Sequence, residues 1–192
     1  ALLILGTLAQ QRGHEVKIVH LDLIDNIQNE YALYEPDIVG ITSNTFQVAS
    51  ARSAVKHARA MGIRVILGGP HASSWNGIAP VDNIVDGEGE NKWLSILGEK
   101  PDIESIDDIP IPNYDLVDLD KFCGVGPVGA SPSMAIMASR GCPYKCTFCN
   151  TPVFWGSKIR YRKPETVVDE VELLHTEYGI NEIFFQDDTF NI

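Results

Sequence analysis

Over its first 97 residues the chain alternates short β-branched runs with longer stretches of helical periodicity, and this alternation restricts the fold more than any other feature. Such an order reads as a parallel sheet with helices across its faces. Residues 2–12 read as a helix ended by Gly13, and 16–20 (VKIVH) as a strand. Residues 38–42 (IVGIT) read as a second strand, 47–60 as a helix stopped at Gly62, and 64–67 (RVIL) as a third strand. A short strand at 83–85 and a helix over 91–97 complete the pattern. Ligands of open parallel sheets sit beyond the carboxyl ends of the strands. The segments to watch are therefore Thr42-Ser43-Asn44-Thr45, Gly68-Gly69-Pro70-His71 and Gly87-Glu88-Gly89-Glu90. Glycine allows positive φ and close backbone approach, which a ligand loop and a plain tight turn need equally.

Residues 99–132 hold five of the chain's 11 prolines and many aspartates, the composition of a linker. Beyond it, 133–138 (SMAIMA) reads as a strand, and 164–178 as a helix with Pro164 in its first turn. That helix is expected to bury Val167, Val168, Val171 and Leu174 and to end at Gly179, before a strand at 182–186 (EIFFQ). Strand, loop, helix, strand is the opening repeat of a β/α barrel, whose sites gather at the strand carboxyl ends.

In the loop of that repeat, Cys142, Cys146 and Cys149 form a CxxxCxxC run. Three thiolates at that spacing can hold three irons of a 4Fe-4S cluster and leave the fourth iron open to a small molecule. Zinc usually asks for paired spacings and four protein ligands, and the fourth would have to be Cys123 or a distant histidine. Disulfides between cysteines so close in a tight loop are disfavoured, and nothing else points to secretion. Cys123 is most simply a lone linker thiol.

With Phe148 just before the last cysteine, the run resembles the radical S-adenosylmethionine (SAM) superfamily. There, SAM chelates the open iron and is cleaved to methionine and a 5'-deoxyadenosyl radical. The text of the first half, Arg12-Gly13-His14-Glu15-Val16, Glu35-Pro36-Asp37-Ile38-Val39-Gly40-Ile41-Thr42, Leu67-Gly68-Gly69-Pro70-His71 and Val85-Asp86-Gly87-Glu88-Gly89-Glu90, resembles the cobalamin-binding domain of one large radical SAM subfamily. The resemblance implies an α/β, doubly wound (Rossmann-like) cobalamin-binding domain over 1–98, a linker over 99–132 that wraps between domains, and the first β/α units of a partial radical SAM barrel over 133–192. It implies Cys142, Cys146 and Cys149 as cluster ligands, SAM near Phe148 and the Asp187-Asp188 turn, and cobalamin against 42–45, 68–71 and 87–90. It assigns no catalytic residue. No DxHxxG occurs, so His71 is not expected to ligate cobalt. Trp155-Gly156 and Arg160-Tyr161-Arg162 match the subfamily's post-cluster loop without an assigned role.

The implied function is reductive SAM cleavage for methyl transfer to an unactivated position of a small molecule, with an electron donor such as flavodoxin or ferredoxin. The alternatives are a cyclase or rearrangement enzyme of the same family, or a non-catalytic cobalamin or nucleotide sensor with a structural metal. A methylthiotransferase would carry further cysteines in its N-terminal domain, and residues 1–122 have none. No GxGxxG follows a strand, which argues against a dinucleotide.

A net charge of −11 argues against a general nucleic-acid surface. Six of the 15 basic residues nonetheless lie between Arg140 and Lys163, a local positive field that would suit an anionic cluster and the SAM carboxylate. The apolar opening, residues 1–5, is too short to cross a bilayer and lacks a signal peptide's flanks, so no membrane partner is expected. Free thiols and an oxygen-sensitive cluster point to a reducing cytoplasm. A full barrel of this kind needs on the order of 200 residues, so the sequence is expected to be part of a longer enzyme.

Overall fold

The alternating pattern folds as expected for an α/β chain with parallel sheets, and the computed structural model describes residues 1–72, 80–124, 126–129 and 131–192. In the first half, β1 (Ile38–Thr42), β2 (Arg64–Gly68) and β3 (Asn83–Ile84) form a parallel sheet in that order, with Ile38 opposite Arg64 and Ile66 opposite Asn83. β2 is central, and Val65, Ile66 and Leu67 are buried on both of its faces, as a covered parallel strand requires.

Helices lie over both faces. On α3 (Val48–Ala60), Ala51, Ala54, Val55 and Ala58 fall at the i, i+3, i+4, i+7 spacing of one stripe and are buried. That stripe packs with Val65 and Leu67 and with Tyr31 of α2 (Ile27–Tyr34), a helix that Asn26 starts by accepting from the Gln28 N–H. On the other face are α1 (Leu2–Gln11) and α4 (Glu90–Leu97). The Trp93 ring lies over Gly40 and donates through Nε1 to the Leu5 carbonyl at 3.1 Å.

One expected strand is absent. Residues 16–20 pair with no neighbour among the described residues, although Val16 and Ile18 pack beside Gly6 of α1. Their β propensity is real, but a strand also needs a ladder to join.

In the second half β4 (Ser133–Ile136) pairs in parallel with β7 (Glu182–Phe185), and α7 (Pro164–Thr176) connects them, which is the expected β/α unit. Val167, Leu174 and Ile180 pack with Ile136 and Tyr114 in a second core. The expected burial of Val168 is corrected, since it is 60% exposed. The inward stripe runs through Val167, Glu170, Val171 and Leu174, and Val168 lies about 100° around the helix from Val167. Glu170 tolerates its position because the Tyr114 hydroxyl donates to it at 2.6 Å and Arg162 Nη1 lies 2.5 Å from Oε2. The latter contact is an ion pair between two largely buried side chains. A small antiparallel pair, β5 (Ser139–Arg140) with β6 (Arg160–Tyr161), follows β4.

The segment between the halves is tied to both. Asn91 exchanges two hydrogen bonds with the backbone of Ile103, and the Asn113 N–H donates to Thr7 Oγ1 at 2.7 Å. Asp107 accepts from the Lys163 N–H at 2.7 Å, and Ile106, Ile109 and Tyr114 are buried. A short helix, α5 (Leu119–Phe122), leads out of it toward β4. Among the described residues no helix is long and apolar enough to cross a membrane.

Candidate functional site

Two groups of loops at strand carboxyl ends face each other across the halves. In the first, the chain leaves β1 through Ser43, whose side chain is buried and whose Oγ has no hydrogen-bond partner among the described residues. Asn44 then caps a short 3-10 turn, accepting from the Phe46 and Gln47 N–H groups, while Gln47 Oε1 accepts from the Asn44 N–H. The turn leaves the Phe46 ring 97% exposed. The end of β2 is stitched to it: the Ser43 N–H donates to the Gly68 carbonyl, the His71 N–H to the Ser43 carbonyl, and Thr45 Oγ1 lies 3.3 Å from His71 Nδ1.

Gly69 makes this approach possible. Its φ is +92°, and a Cβ there would collide with Thr42 Oγ1 and come within 2.9 Å of the Ser43 carbonyl oxygen. Gly69 thus lets the end of β2 lie directly on the turn after β1, and the surface this leaves is bordered by the exposed Thr45 and Phe46 side chains. The orphan Ser43 hydroxyl and the glycine cradle fit the long, polar tail of a nucleotide-bearing cofactor.

The third loop departs from expectation. Gly87 keeps a positive φ of +68°, but the Glu88 and Glu90 carboxylates are not open to a ligand. Glu90 Oε1 accepts from Arg140 Nη2 at 2.7 Å, and Glu88 accepts from Arg140 and from both prongs of Arg160. Burial pushes the Glu88 carboxyl up, and Arg160 and Arg140 more than offset this, so it lies below its ordinary range.

α6 (Thr151–Phe154) ends the cysteine loop. The loop begins at Gly141, whose φ is +97° and whose Cβ would run into the Lys158 carbonyl. From there to Asn150 it contains neither helix nor strand. Cys142 and Cys149 are half-buried, Cys146 is exposed, and all are free thiols. Thr189 Oγ1, beyond β7, donates to Cys142 Sγ at 3.3 Å. The Cys149 thiol is held below its ordinary value by Thr151, through its hydroxyl first and its N–H second, against burial and the Asp188 charge. That hydroxyl has one proton, and Asp188 Oδ1 takes it at 2.9 Å, so the N–H is the steadier donor to Cys149.

Among the described residues no three His, Cys, Asp or Glu side chains stand ready-gathered around a metal position. The donor set itself fits an iron-sulfur cluster, being three unpaired thiols on one irregular loop that can converge without breaking a ladder. It fits zinc poorly. Cys123 packs into the second core with its thiol pushed up by burial, and so supplies no fourth ligand.

Asp187 and Asp188 also sit at the strand end, but Asp187 is a brace. Its Oδ2 accepts from the Ala138 N–H at 3.0 Å and its Oδ1 from the Ser139 hydroxyl, which pins the β4–β5 corner. Phe148, 92% exposed, stands free beside the cysteines.

The family model for the B12 binding domain matches residues 1–95, and that for the radical SAM superfamily matches residues 136–192. The chain belongs to the cobalamin-binding-domain radical SAM superfamily. It is 34% identical to an uncharacterized methyltransferase of Pyrococcus horikoshii, over 93% of this chain and 46% of that protein. It is 31% identical to the bacteriochlorophyllide d C-8(2)-methyltransferase of Chlorobaculum tepidum, over 80% of this chain and 37% of that protein. The chain thus spans less than half the length of these relatives. Its fold superposes on the radical SAM methyltransferase TsrM of Kitasatospora setae, solved with cobalamin and a [4Fe-4S] cluster bound, with a TM-score of 0.72, 21% identity, and coverage of 99% of this chain and 46% of that one.

For a radical SAM chain, the expected positive field around the cysteines needs correction. Arg140, Arg160 and Arg162 are each matched by a buried or half-buried carboxylate, and Lys145, Lys158 and Lys163 are the lysines that remain in that stretch. Sequence reasoning also missed Thr189 and Thr151, whose hydroxyl chemistry is too common to stand out. It left Trp155 without a role, whereas the ring lies under the Arg140 guanidinium at 4.7 Å.

Proposed function

We propose that this chain is the cobalamin-binding half and the opening of the barrel of a radical SAM methyltransferase acting on a small organic substrate. In this reading residues 1–98 hold cobalamin, 99–132 join the domains, and 133–192 begin the radical SAM domain. The observation that carries it is the meeting of the two loop groups: the Gly87 α-carbon packs so close to α6 that a Cβ would lie 3.1 Å from the Phe154 carbonyl oxygen, and Arg140 reaches Glu90. A surface suited to cobalamin and a loop suited to a cluster are thus held against each other.

Cys142, Cys146 and Cys149 would hold the cluster, and SAM would lie beside Phe148 and the Asp188 turn. Thr42 to Thr45, Gly68 to His71 and the backbone at Gly87 would hold cobalamin, with no histidine offered to cobalt. Bound there, the cluster and SAM supply a strong hydrogen-abstracting radical, and cobalamin supplies the methyl group. The protein's own work is placement. Gly141 fixes where the cysteine loop starts, Asp187 pins the corner behind it, Thr189 offers its hydroxyl proton to Cys142 Sγ, and the Thr151 N–H favours the charged, ligating form of Cys149. The four free cysteines accord with a reducing, cytoplasmic setting, and the chemistry calls for a one-electron donor such as flavodoxin or ferredoxin.

The test is electron paramagnetic resonance on the full-length enzyme, anaerobically reconstituted and reduced, with and without SAM. A reduced 4Fe-4S signal that changes when SAM is added is expected. An iron-loaded enzyme whose signal ignores SAM, or a protein carrying one zinc and no sulfide, overturns the reading.

A further inference from the structure

We infer that Glu88 and Glu90 are positioning residues rather than cobalamin contacts: with Arg140 and Arg160 they form a clasp that sets the spacing between the cobalamin face and the cluster loop. This inference rests on the proposed function.

The clasp is built from both halves. Arg140 is 5% exposed and Glu90 7% exposed, and they meet at 2.7 Å although 50 residues apart in sequence. Glu88 Oε2 accepts from Arg140 Nη1 at 3.3 Å and from Arg160 Nη1 at 3.0 Å, and the second prong of Arg160 reaches both Glu88 Oε1 and the Trp155 carbonyl. The Arg140 guanidinium also stacks over the Trp155 ring. Every member thus has a directional partner. Burying such charges gives up much of their attraction to desolvation, so a cluster of this kind is a poor source of bulk stability. Forked arginine–carboxylate geometry is instead a good source of fixed orientation.

Its location gives the orientation a use. Arg140 is two residues before Cys142, and the intervening Gly141 is locked by the Lys158 carbonyl. Glu88 follows the glycine that packs on α6, and Glu90 is the first residue of α4. Displacing either carboxylate moves the strand-end face relative to the first cluster ligand. Group transfer between two bound cofactors is sensitive to displacements on the order of 1 Å.

The experiment uses two spins in the full-length enzyme loaded with both cofactors. Pulsed electron paramagnetic resonance reads the dipolar coupling between the reduced cluster and cobalt(II) cobalamin, without need of a substrate. In Glu88→Gln and Arg160→Gln, both partly exposed positions, cluster content and cobalamin affinity are expected to stay at wild-type levels while the coupling broadens or shifts. Arg160→Lys keeps the charge, loses the fork and is expected to broaden it too, which provides a reading if a glutamine variant fails to fold. Wild-type coupling in the variants that fold overturns the clasp. So does a loss of cobalamin affinity with unchanged coupling, which would make Glu88 a ligand contact. A wild-type enzyme that takes up neither cofactor overturns the proposed function itself.

Discussion

The strand-end face of the first half is finished by the polypeptide, whereas the cysteine loop of the second half is not. On the first, Asn44, Gln47, Ser43, Gly68 and His71 are stitched together by backbone and cap hydrogen bonds around a glycine that admits no side chain. On the second, three thiols share a stretch without regular structure and are not gathered. The difference follows from what each ligand offers. A large organic cofactor is held by many weak contacts and benefits from a preformed surface, while a cluster makes a few strong bonds that can order a loop as they form.

The largest effect that would sharpen this contrast is Cys146→Ala. Removing the exposed middle ligand is expected to reduce bound iron and acid-labile sulfide to background while cobalamin affinity stays within about twofold of wild type, well under the 1.4 kcal/mol of a tenfold change. Iron and sulfide analysis beside a cobalamin titration checks both halves of the statement. Full iron with intact SAM cleavage would remove the cysteine assignment.

Gly69→Val is the reciprocal test. It forces a side chain into Thr42 and Ser43 at φ +92°, at a cost on the order of 1–3 kcal/mol in backbone strain alone. Cobalamin affinity is expected to fall by roughly tenfold or more, since 1.4 kcal/mol is a factor of ten, with cluster content unchanged. Equal loss of both cofactors would mean that the halves do not bind independently.

Much of this was legible in the sequence, and the failures share a cause. β1, β2 and β7 announce themselves as β-branched or aromatic runs bounded by Pro36, Gly62 and Gly179, and α3 by its alanine stripe. The cysteines and Gly69 are legible because their chemistry is local. Residues 16–20 were misread because a strand depends on a neighbour that no local pattern supplies. α2 went unnoticed because only Asn26 and the single buried Tyr31 mark it. The fates of Glu88 and Arg140 were invisible for the same reason: each is explained by a residue 50 or more positions away.

Acid weakens the Glu88 contact in a predictable direction. The folded pKa of Glu88 lies below its ordinary value of 4.5, so its stabilising contribution is fully present above that value and is lost as pH falls through the folded pKa. The thermal midpoint of wild type is therefore expected to exceed that of Glu88→Gln by a constant margin at neutral pH, and the margin is expected to close below pH 4.5. A margin that instead opens on acidification would reverse the sign of the Glu88–Arg160 interaction.

The smallest effect asks whether the cysteine loop is wholly unfinished. Among the described residues Thr189 is its one side-chain donor from beyond β7, reaching Cys142 Sγ at 3.3 Å. A hydrogen bond to a ligating thiolate stabilises the added negative charge of the reduced cluster and so raises the potential. Thr189→Val keeps the shape and removes the proton, so the midpoint potential is expected to become more negative with cluster content unchanged. Redox titration monitored by the reduced-cluster signal measures it. An unmoved potential would mean that the hydroxyl turns away once iron takes the sulfur, leaving the loop's electrostatics to the backbone N–H of Thr151 and to the cluster itself.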